Sequence, residues 1–207
     1  MTATYAPRLC LASASPRRSA LLTQIGVPHR IFAAQIDEAV LAGETPRQYV
    51  ARVAAAKARA IAADAAGSGG LPVLGADTAV ILGERILGKP ESAPEAREML
   101  AALAGRTHEV LSAVALCDGP SLRSRISYTR VTLRALSARE IDDYWASGEP
   151  RDKAGGYAIQ GLAAVFIERI EGSYSGVMGL PLFETAALLA EAGVPVWQPL
   201  AAASGAP

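Results

Sequence analysis

Residues 8–26 read RLCLASASPRRSALLTQIG, and this stretch decides how the rest of the chain is read. Residues 8–13 form a short apolar run that enters Ser13-Ala14-Ser15-Pro16-Arg17-Arg18. Beyond it Leu21, Leu22 and Ile25 recur at helical spacing up to Gly26. That order predicts strand, loop and helix, with Pro16 at the first helical residue, where its missing N–H is no loss. The loop also gathers free N–H groups at a helix start, two hydroxyls and two guanidinium groups, a set that suits an anion. Ser15 admits a second role as an ordinary cap, and Arg17 and Arg18 as solvated surface.

Working outward, Thr45-Pro46 caps a long helix reaching about residue 66, which Gly67-Ser68-Gly69-Gly70 breaks. Residues 73–82 are a nearly continuous apolar strand, followed by a Gly83-Glu84 turn and a return strand over 85–88. Ser92, Pro94 and Gly105 bracket a helix whose inward face is Met99, Leu100 and Leu103. Residues 109–117 and 122–133 predict a long hairpin across Asp118-Gly119-Pro120, with irregular pairing expected. Ser137 and Glu140 form a capping box for a helix that stops at Gly148. A glycine- and charge-rich loop covers 149–162. A strand over 163–170, a last helix over 180–193, a final strand over 194–197 and a frayed tail over 199–207 complete the chain. Strands and helices interleave, and the hairpin requires antiparallel pairing. The expected class is therefore α/β, a mixed twisted sheet with flanking helices, built as one domain over residues 1–198.

The 207 residues are 51% hydrophobic and 19% charged, which excludes a disordered adaptor. Twenty basic and twenty acidic residues give no net charge, which argues against holding polymeric nucleic acid by counterion release and favours a small ligand. Cys10 and Cys117 stand alone in apolar stretches and read as buried thiols. No apolar run reaches membrane-spanning length and no leader pattern is present, so a cytoplasmic protein without membrane association is expected. Neither the GxxxxGK[ST] nor the GxGxxG fingerprint occurs.

Only three of the twenty basic residues are lysines, Lys57, Lys89 and Lys153. Lys57 falls in the middle of the apolar helix face of Tyr49, Val53, Ala60 and Ile61, so it must reach a partner or a cleft, or snorkel. Asp77 is the single charge between Leu71 and Gly83. Buried in a strand, it must be met by a cation, a metal or hydrogen-bond donors. Glu38, beside Asp37 in the loop Gln35-Ile36-Asp37-Glu38, would with Asp77 complete a hard-cation site, because Mg²⁺ bound to phosphates needs only one or two protein carboxylates. Lys89 follows Gly88 in a turn. Gln160, in the glycine-flanked block 155–161, carries the amide donor and acceptor that can read a base edge. His29 and His108 are far apart and read as no ligand pair. Arg123, Arg125, Arg130, Arg134 and Arg139 cluster around Tyr128 and suggest either RNA contact or, better with zero net charge, a solvated strand face.

These motifs together describe a site for a metal-bound polyphosphate, and the sequence resembles the Maf family of nucleoside triphosphate pyrophosphatases. The likeness is carried by residues 13–18, Thr45-Pro46, Lys57-Ala58, Gly75-Ala76-Asp77-Thr78, Gly88-Lys89-Pro90, Gly105-Arg106-Thr107-His108, residues 155–161, Gly172-Ser173-Tyr174 and Gly179-Leu180-Pro181. It implies a Maf/ITPase-like mixed α/β fold with two lobes around a central cleft, and hydrolysis of a nucleoside triphosphate to its monophosphate and pyrophosphate. Ala76-Asp77-Thr78 and the Gln160 block resemble the branch acting on dTTP, UTP and related modified pyrimidine nucleotides. By matching position Asp77 is expected as proton acceptor, and Arg17, Thr78 and Gln160 as specificity positions. Ser19, where many members carry an acid, and Leu82-Gly83, in place of an Asp-Gly turn, are the departures. The expected site thus has Asp77, Lys57 and Lys89 as catalytic residues, and Ser13, Ser15, Arg17, Arg18, Thr78 and Gln160 binding substrate. Glu38 and Asp77 would hold a divalent cation, Mg²⁺ or Mn²⁺. A nucleoside triphosphate is the expected partner, with no stable nucleic-acid complex, and a homodimer is left open. The rival readings are a nucleotide-binding regulator without turnover and an RNA-binding module.

Overall fold

A computed structural model describes residues 6–197. The chain opens with strand β1 (Leu9–Leu11), fully buried, and crosses through helix α1 (Pro16–Gln24) to β2 (His29–Ile31), which lies parallel to β1. Helix α2 (Pro46–Ala63) starts in a capping box in which Thr45 and Gln48 satisfy each other's backbone N–H groups. It ends where Asp64 turns extended, and α3 (Ala65–Ser68) adds one separate turn. Strand β3 (Val73–Leu82) returns through Gly83 to β4 (Arg85–Leu87). Helix α4 (Ala93–Leu103), strands β5 (Thr107–Asp118) and β6 (Ser121–Leu133), helix α5 (Ala138–Ala146), strand β7 (Ile167–Glu171) and helices α6 (Tyr174–Met178) and α7 (Leu182–Glu191) follow.

Among the described residues the seven strands form one sheet in the order β2-β1-β3-β5-β6-β7, with β4 against β3. Pairings of β1 are parallel and the others antiparallel, so the class is the mixed α/β sheet with flanking helices that the sequence predicts. The feature that makes a site is on one edge of β3. There β1 pairs with Val73 and Leu74, and β4 pairs with Val80 to Leu82. Residues 75–79 between them have no strand on that edge among the described residues, while β5 covers the opposite edge throughout. The sheet is therefore split beside Asp77.

Strand alternation sends Val73, Ala79 and Ile81 to the face packed by Val50, Ala54, Ala58 and Ile61 of α2. Leu74 and Ala76 go to the opposite face, against Leu21 and Leu22 of α1 and Leu188 and Leu189 of α7. Gly75 shows how close α2 lies: a Cβ there would stand 2.2 Å from the Ala54 carbonyl oxygen and 2.7 Å from the Ala58 nitrogen. A third cluster joins Val80, Leu100, Leu103, Tyr144, Tyr157 and Phe166 at the far end. No helix of the described residues is long and apolar enough to cross a membrane.

Several local expectations are corrected. The long hairpin pairs without a shift from Thr107 opposite Thr132 to Asp118 opposite Ser121. Gly119, with φ +55°, and Pro120 close it in two residues, the II′-type pattern that matches strand twist. The irregularity lies instead between β6 and β7, at Thr132 and Leu133. Residues 163–166, expected as strand, belong instead to a 3₁₀ turn over Leu162–Phe166 that buries Ala163 and Phe166 while exposing Leu162 and Val165, so β7 starts at Ile167. Residues 194–197 are not a strand: Val194 N–H bonds the Leu189 carbonyl and Gly193 N–H the Ala190 carbonyl. This Schellman ending of α7 uses Val194 as its apolar closure. Helix α4 turns Ala96, Leu100 and Leu103 inward, with Met99 only half-buried. The long helix stops at Ala63, the last one starts at Leu182, and β2 and α6 are short elements the pattern did not announce. The tail expected over 199–207 lies outside the described residues.

Two stability predictions follow from this packing. Gly75→Ala should destabilise the protein by at least about 1–3 kcal/mol in urea denaturation, because backbone, not a flexible side chain, must move. Gly88→Ala, where a Cβ meets nothing within 4 Å, should leave the midpoint unchanged. The second concerns His108, 2% exposed on β5, whose pKa burial lowers from 6.5 to about 4. The unfolded imidazole takes a proton near pH 6.5 and the folded one only near 4. Stability should therefore fall on acidification across that window by on the order of 3 kcal/mol. Denaturation midpoints measured at several pH values should show a flatter profile for His108→Asn.

Candidate active site

The split in the sheet edge opens into a cleft of about 850 Å³. Ser13, Ser15, Arg17, Arg18, Glu38, Lys57, Asp77, Thr78, Lys89 and Gln160 all lie on its wall, so the residues expected to form the site are brought to one place. They come from the β1–α1 loop, the first turn of α1, the segment after β2, helix α2, strand β3, the turn after β4 and the loop before β7. The physical reason is topological. β1 ends at the split, so its loop and the N-terminus of α1 face the uncovered part of β3.

At the centre of the cleft, Lys57 Nζ donates to Asp77 Oδ1 at 2.9 Å and lies 3.0 Å from Glu38 Oε1. Lys57 is 8% exposed and Asp77 6%, whereas the Glu38 side chain is half exposed. Burial raises the Asp77 pKa from its ordinary value, although the Lys57 and Arg18 charges pull it down. Tyr49, one face along α2, is pushed up to about 12 by burial and by the neighbouring Asp77 and Glu38 charges. The ammonium therefore has a partner in the chain itself.

Opposite this centre, α1 begins with Pro16 at its first residue and Ser15 as N-cap, but the Ser15 hydroxyl makes no capping hydrogen bond. The backbone N–H of Ser15 instead donates to Ser13 Oγ at 3.2 Å. Arg18 is fixed by Nε donating to the Gly179 carbonyl at 2.8 Å and Nη1 to Ser13 Oγ at 3.1 Å. Burial lowers its pKa while the Asp77 and Glu38 charges raise it. Thr78 points to the other face of β3 from Asp77, and its Oγ1 is 2.9 Å from Ser112 Oγ, which donates to the Gly176 carbonyl at 2.6 Å. Lys89 and Gln160 are exposed on the wall. Gly155 N–H donates to the Gly88 carbonyl at 2.9 Å, which ties the segment before Gln160 to the residue before Lys89.

The structure adds Asp152 and Lys153 to the wall. Asp152 Oδ2 lies 3.4 Å from Arg17 Nη1, and its other oxygen meets Lys153 Nζ. Lys153 stood out as one of three lysines, and its position just before the glycine-flanked block was the signal that could have placed it. The arginines of the hairpin, and Arg134 and Arg139 after it, carry ion pairs: Arg123 with Asp118 and Glu191, Arg125 with Glu191, Arg130 with Glu171, Arg134 with Glu140 and Arg139 with Asp143. That matches a solvated strand face.

Among the described residues no three His, Cys, Asp or Glu side chains gather as a metal cluster. Glu38 and Asp77 nevertheless converge on one cation, the Lys57 ammonium, with hard oxygen donors. That donor set fits a divalent cation whose remaining ligands are phosphate oxygens and water. The pair also yields a prediction. Lys57→Met leaves Asp77 buried without its counter-charge and should cost about 3 kcal/mol, and adding Asp77→Asn should restore most of it. Thermal unfolding of the two variants checks this; an unaltered midpoint for Lys57→Met would show a lysine that merely snorkels.

Comparison with known proteins is consistent with this geometry over nearly the whole chain. The family model described as Maf-like protein matches residues 8–192. A protein of Alkalilimnicola ehrlichii named dTTP/UTP pyrophosphatase is 52% identical over 191 residues, covering 90% of this chain and 94% of that protein. One of Cereibacter sphaeroides with the same name is 54% identical over 191 residues, covering 92% and 97%. Among solved structures, a nucleoside-triphosphatase / dITP/XTP pyrophosphatase from Mycobacterium abscessus has a TM-score of 0.38 and 17% identity. It covers 60% of this chain and 72% of its own, and is too remote to bear on fold or chemistry. The motifs that line the cleft and the family match occupy the same span, and the chain belongs to the Maf-like protein family.

Proposed function

We propose that this chain is a nucleoside triphosphate pyrophosphatase that hydrolyses dTTP and UTP to the monophosphate and pyrophosphate. One observation carries the reading: an acid–lysine–acid centre, Glu38, Lys57 and Asp77, faces a helix N-terminus lacking a side-chain cap and flanked by Ser13, Ser15, Arg17 and Arg18. Relatives with half or more of their aligned residues identical bear the name dTTP/UTP pyrophosphatase.

In this reading the polyphosphate lies along the α1 N-terminus, where N–H groups and guanidinium charges offset its anionic oxygens. Asp77 accepts the proton of a water that attacks the α-phosphorus, and Lys57, hydrogen-bonded to Oδ1, keeps that carboxylate oriented. Lys89, Arg17 and Arg18 stabilise the charge that grows on the phosphate oxygens and the departing pyrophosphate. Glu38 and Asp77 would hold a divalent cation, Mg²⁺ or Mn²⁺, which when bound neutralises phosphate charge and polarises the reacting phosphorus. Retention of two carboxylates beside a polyphosphate site favours turnover over simple binding, since acidic groups repel the ligand when no cation intervenes.

Gln160 reads the base. Thymine and uracil present a carbonyl and a ring N–H that one amide side chain can pair, whereas cytosine reverses part of the pattern. Purified protein incubated with dTTP, UTP, CTP and 7-methyl-GTP should release pyrophosphate, not orthophosphate, with dTTP and UTP cleaved well and the others poorly. Gln160→Ala should lower kcat/KM on dTTP and UTP by about 1–3 kcal/mol of transition-state stabilisation. Asp77→Asn should nearly abolish turnover in a folded protein. Equal rates on all four nucleotides would overturn the base assignment, and unchanged turnover by Asp77→Asn would overturn the proton-acceptor role.

A further inference from the structure

Gln160 stands in a stretch that no strand or long helix holds. Between α5 and β7 the chain runs through 3₁₀ turns at Glu149–Asp152, Ala154–Gly156 and Leu162–Phe166, so its position depends on side-chain hydrogen bonds rather than on a backbone ladder. An amide that reads a base edge must be held to about half an ångström. Two side chains bracket it. On the N-terminal side, Tyr144 Oη accepts from the Ala158 N–H at 3.2 Å. On the C-terminal side, Glu149 Oε2 accepts from the Leu162 N–H at 3.0 Å and Oε1 from the Ala163 N–H at 3.4 Å. The two are joined, because Tyr144 Oη donates to Glu149 Oε1 at 2.8 Å. Backbone N–H groups on both sides of Gln160 thus hang on one tyrosine–glutamate pair.

Gly161 shows how tightly the pair is seated. A Cβ there would stand 2.1 Å from Glu149 Oε2, so the carboxylate lies directly against the residue that follows Gln160. Tyr144 in turn is rigid: it is 5% exposed on α5, and its ring packs edge-on against Phe166 at 5.3 Å. Burial and the bond to Glu149 raise its pKa far above the ordinary value, so the hydroxyl stays a donor. Neither Tyr144 nor Glu149 lies on the wall of the cleft.

We propose that Tyr144 and Glu149 are positioning residues that set nucleobase selectivity by fixing the backbone on either side of Gln160. The inference rests on Gln160 contacting the base. Tyr144→Phe removes the acceptor for Ala158 and the donor to Glu149. Glu149→Gln leaves one oxygen where two are needed, since its amide nitrogen meets a donor in either orientation. Measuring kcat/KM on dTTP, UTP and CTP together with Tm tests it. Each single variant should lower the dTTP-to-CTP ratio by about tenfold, mainly through dTTP, with pyrophosphate still the product. In a Gln160→Ala background, Tyr144→Phe should change the ratio no further, because its effect passes through the missing side chain. If Tyr144→Phe does not fold, Glu149→Gln carries the same expectation. An unchanged ratio with a lowered Tm, or an additive fall in the double variant, would overturn the positioning role while the base-reading role of Gln160 stands. A wild-type protein that does not prefer dTTP over CTP would overturn both.

Discussion

A buried ammonium against a buried carboxylate is the constraint on which the rest of the structure depends. Lys57 on α2 and Asp77 on β3 are each too costly to bury alone, and each makes the other tolerable. Their contact requires α2 to lie directly on β3. The glycine at position 75 and the small residues Ala54 and Ala58 permit that approach. Replacing the pair by apolar residues would suit a core. A charged pair is retained where its outer side opens into a cleft and a third charge, Glu38, reaches in from solvent.

The same strand explains why the cleft exists. An uninterrupted partner along β3 would bury Asp77 from that edge, but β1 leaves after Leu74 and β4 joins only at Val80. The interruption exposes the strand at its one charge and aims the start of α1 at it. Phosphate-binding groups and the acid–lysine centre are thus brought face to face by sheet topology, without a phosphate loop of the common kinds. Strand alternation then separates duties: Asp77 points toward α2 and Thr78 toward Ser112, so adjacent residues serve opposite faces.

Beyond the cleft the structure separates binding from support. Arg17 and Arg18 face the cleft, while the arginines of the long hairpin are spent on surface ion pairs. The irregular loop carrying Gln160 has no ladder of its own and borrows order from α5, from Gly88 and from the His108–Tyr157 contact on β5. Loops that carry specificity commonly need such outside anchors, because their backbone groups are not satisfied by regular structure.

The sequence by itself determined the elements whose signals are local: the Thr45-Pro46 cap of α2, the capping box of α5, the bounds of β3 and the strand–loop–helix opening. A lysine on an apolar helix face and an aspartate in an apolar strand are legible because burial of charge demands a partner, whatever the partner is. It misread the segments at 163–166 and 194–197, where apolar residues look like strand but pack as a 3₁₀ turn and a helix closure. It also expected irregular pairing in a hairpin that is regular to its two-residue turn. Only the tertiary structure decided that Lys57 meets Asp77 and Glu38, that β3 is left bare beside them, and that Tyr144 and Glu149 hold the chain around Gln160. The physical reason is that each of these depends on which distant segments share an edge or a face, and hydrophobic spacing within a segment carries no record of its neighbours.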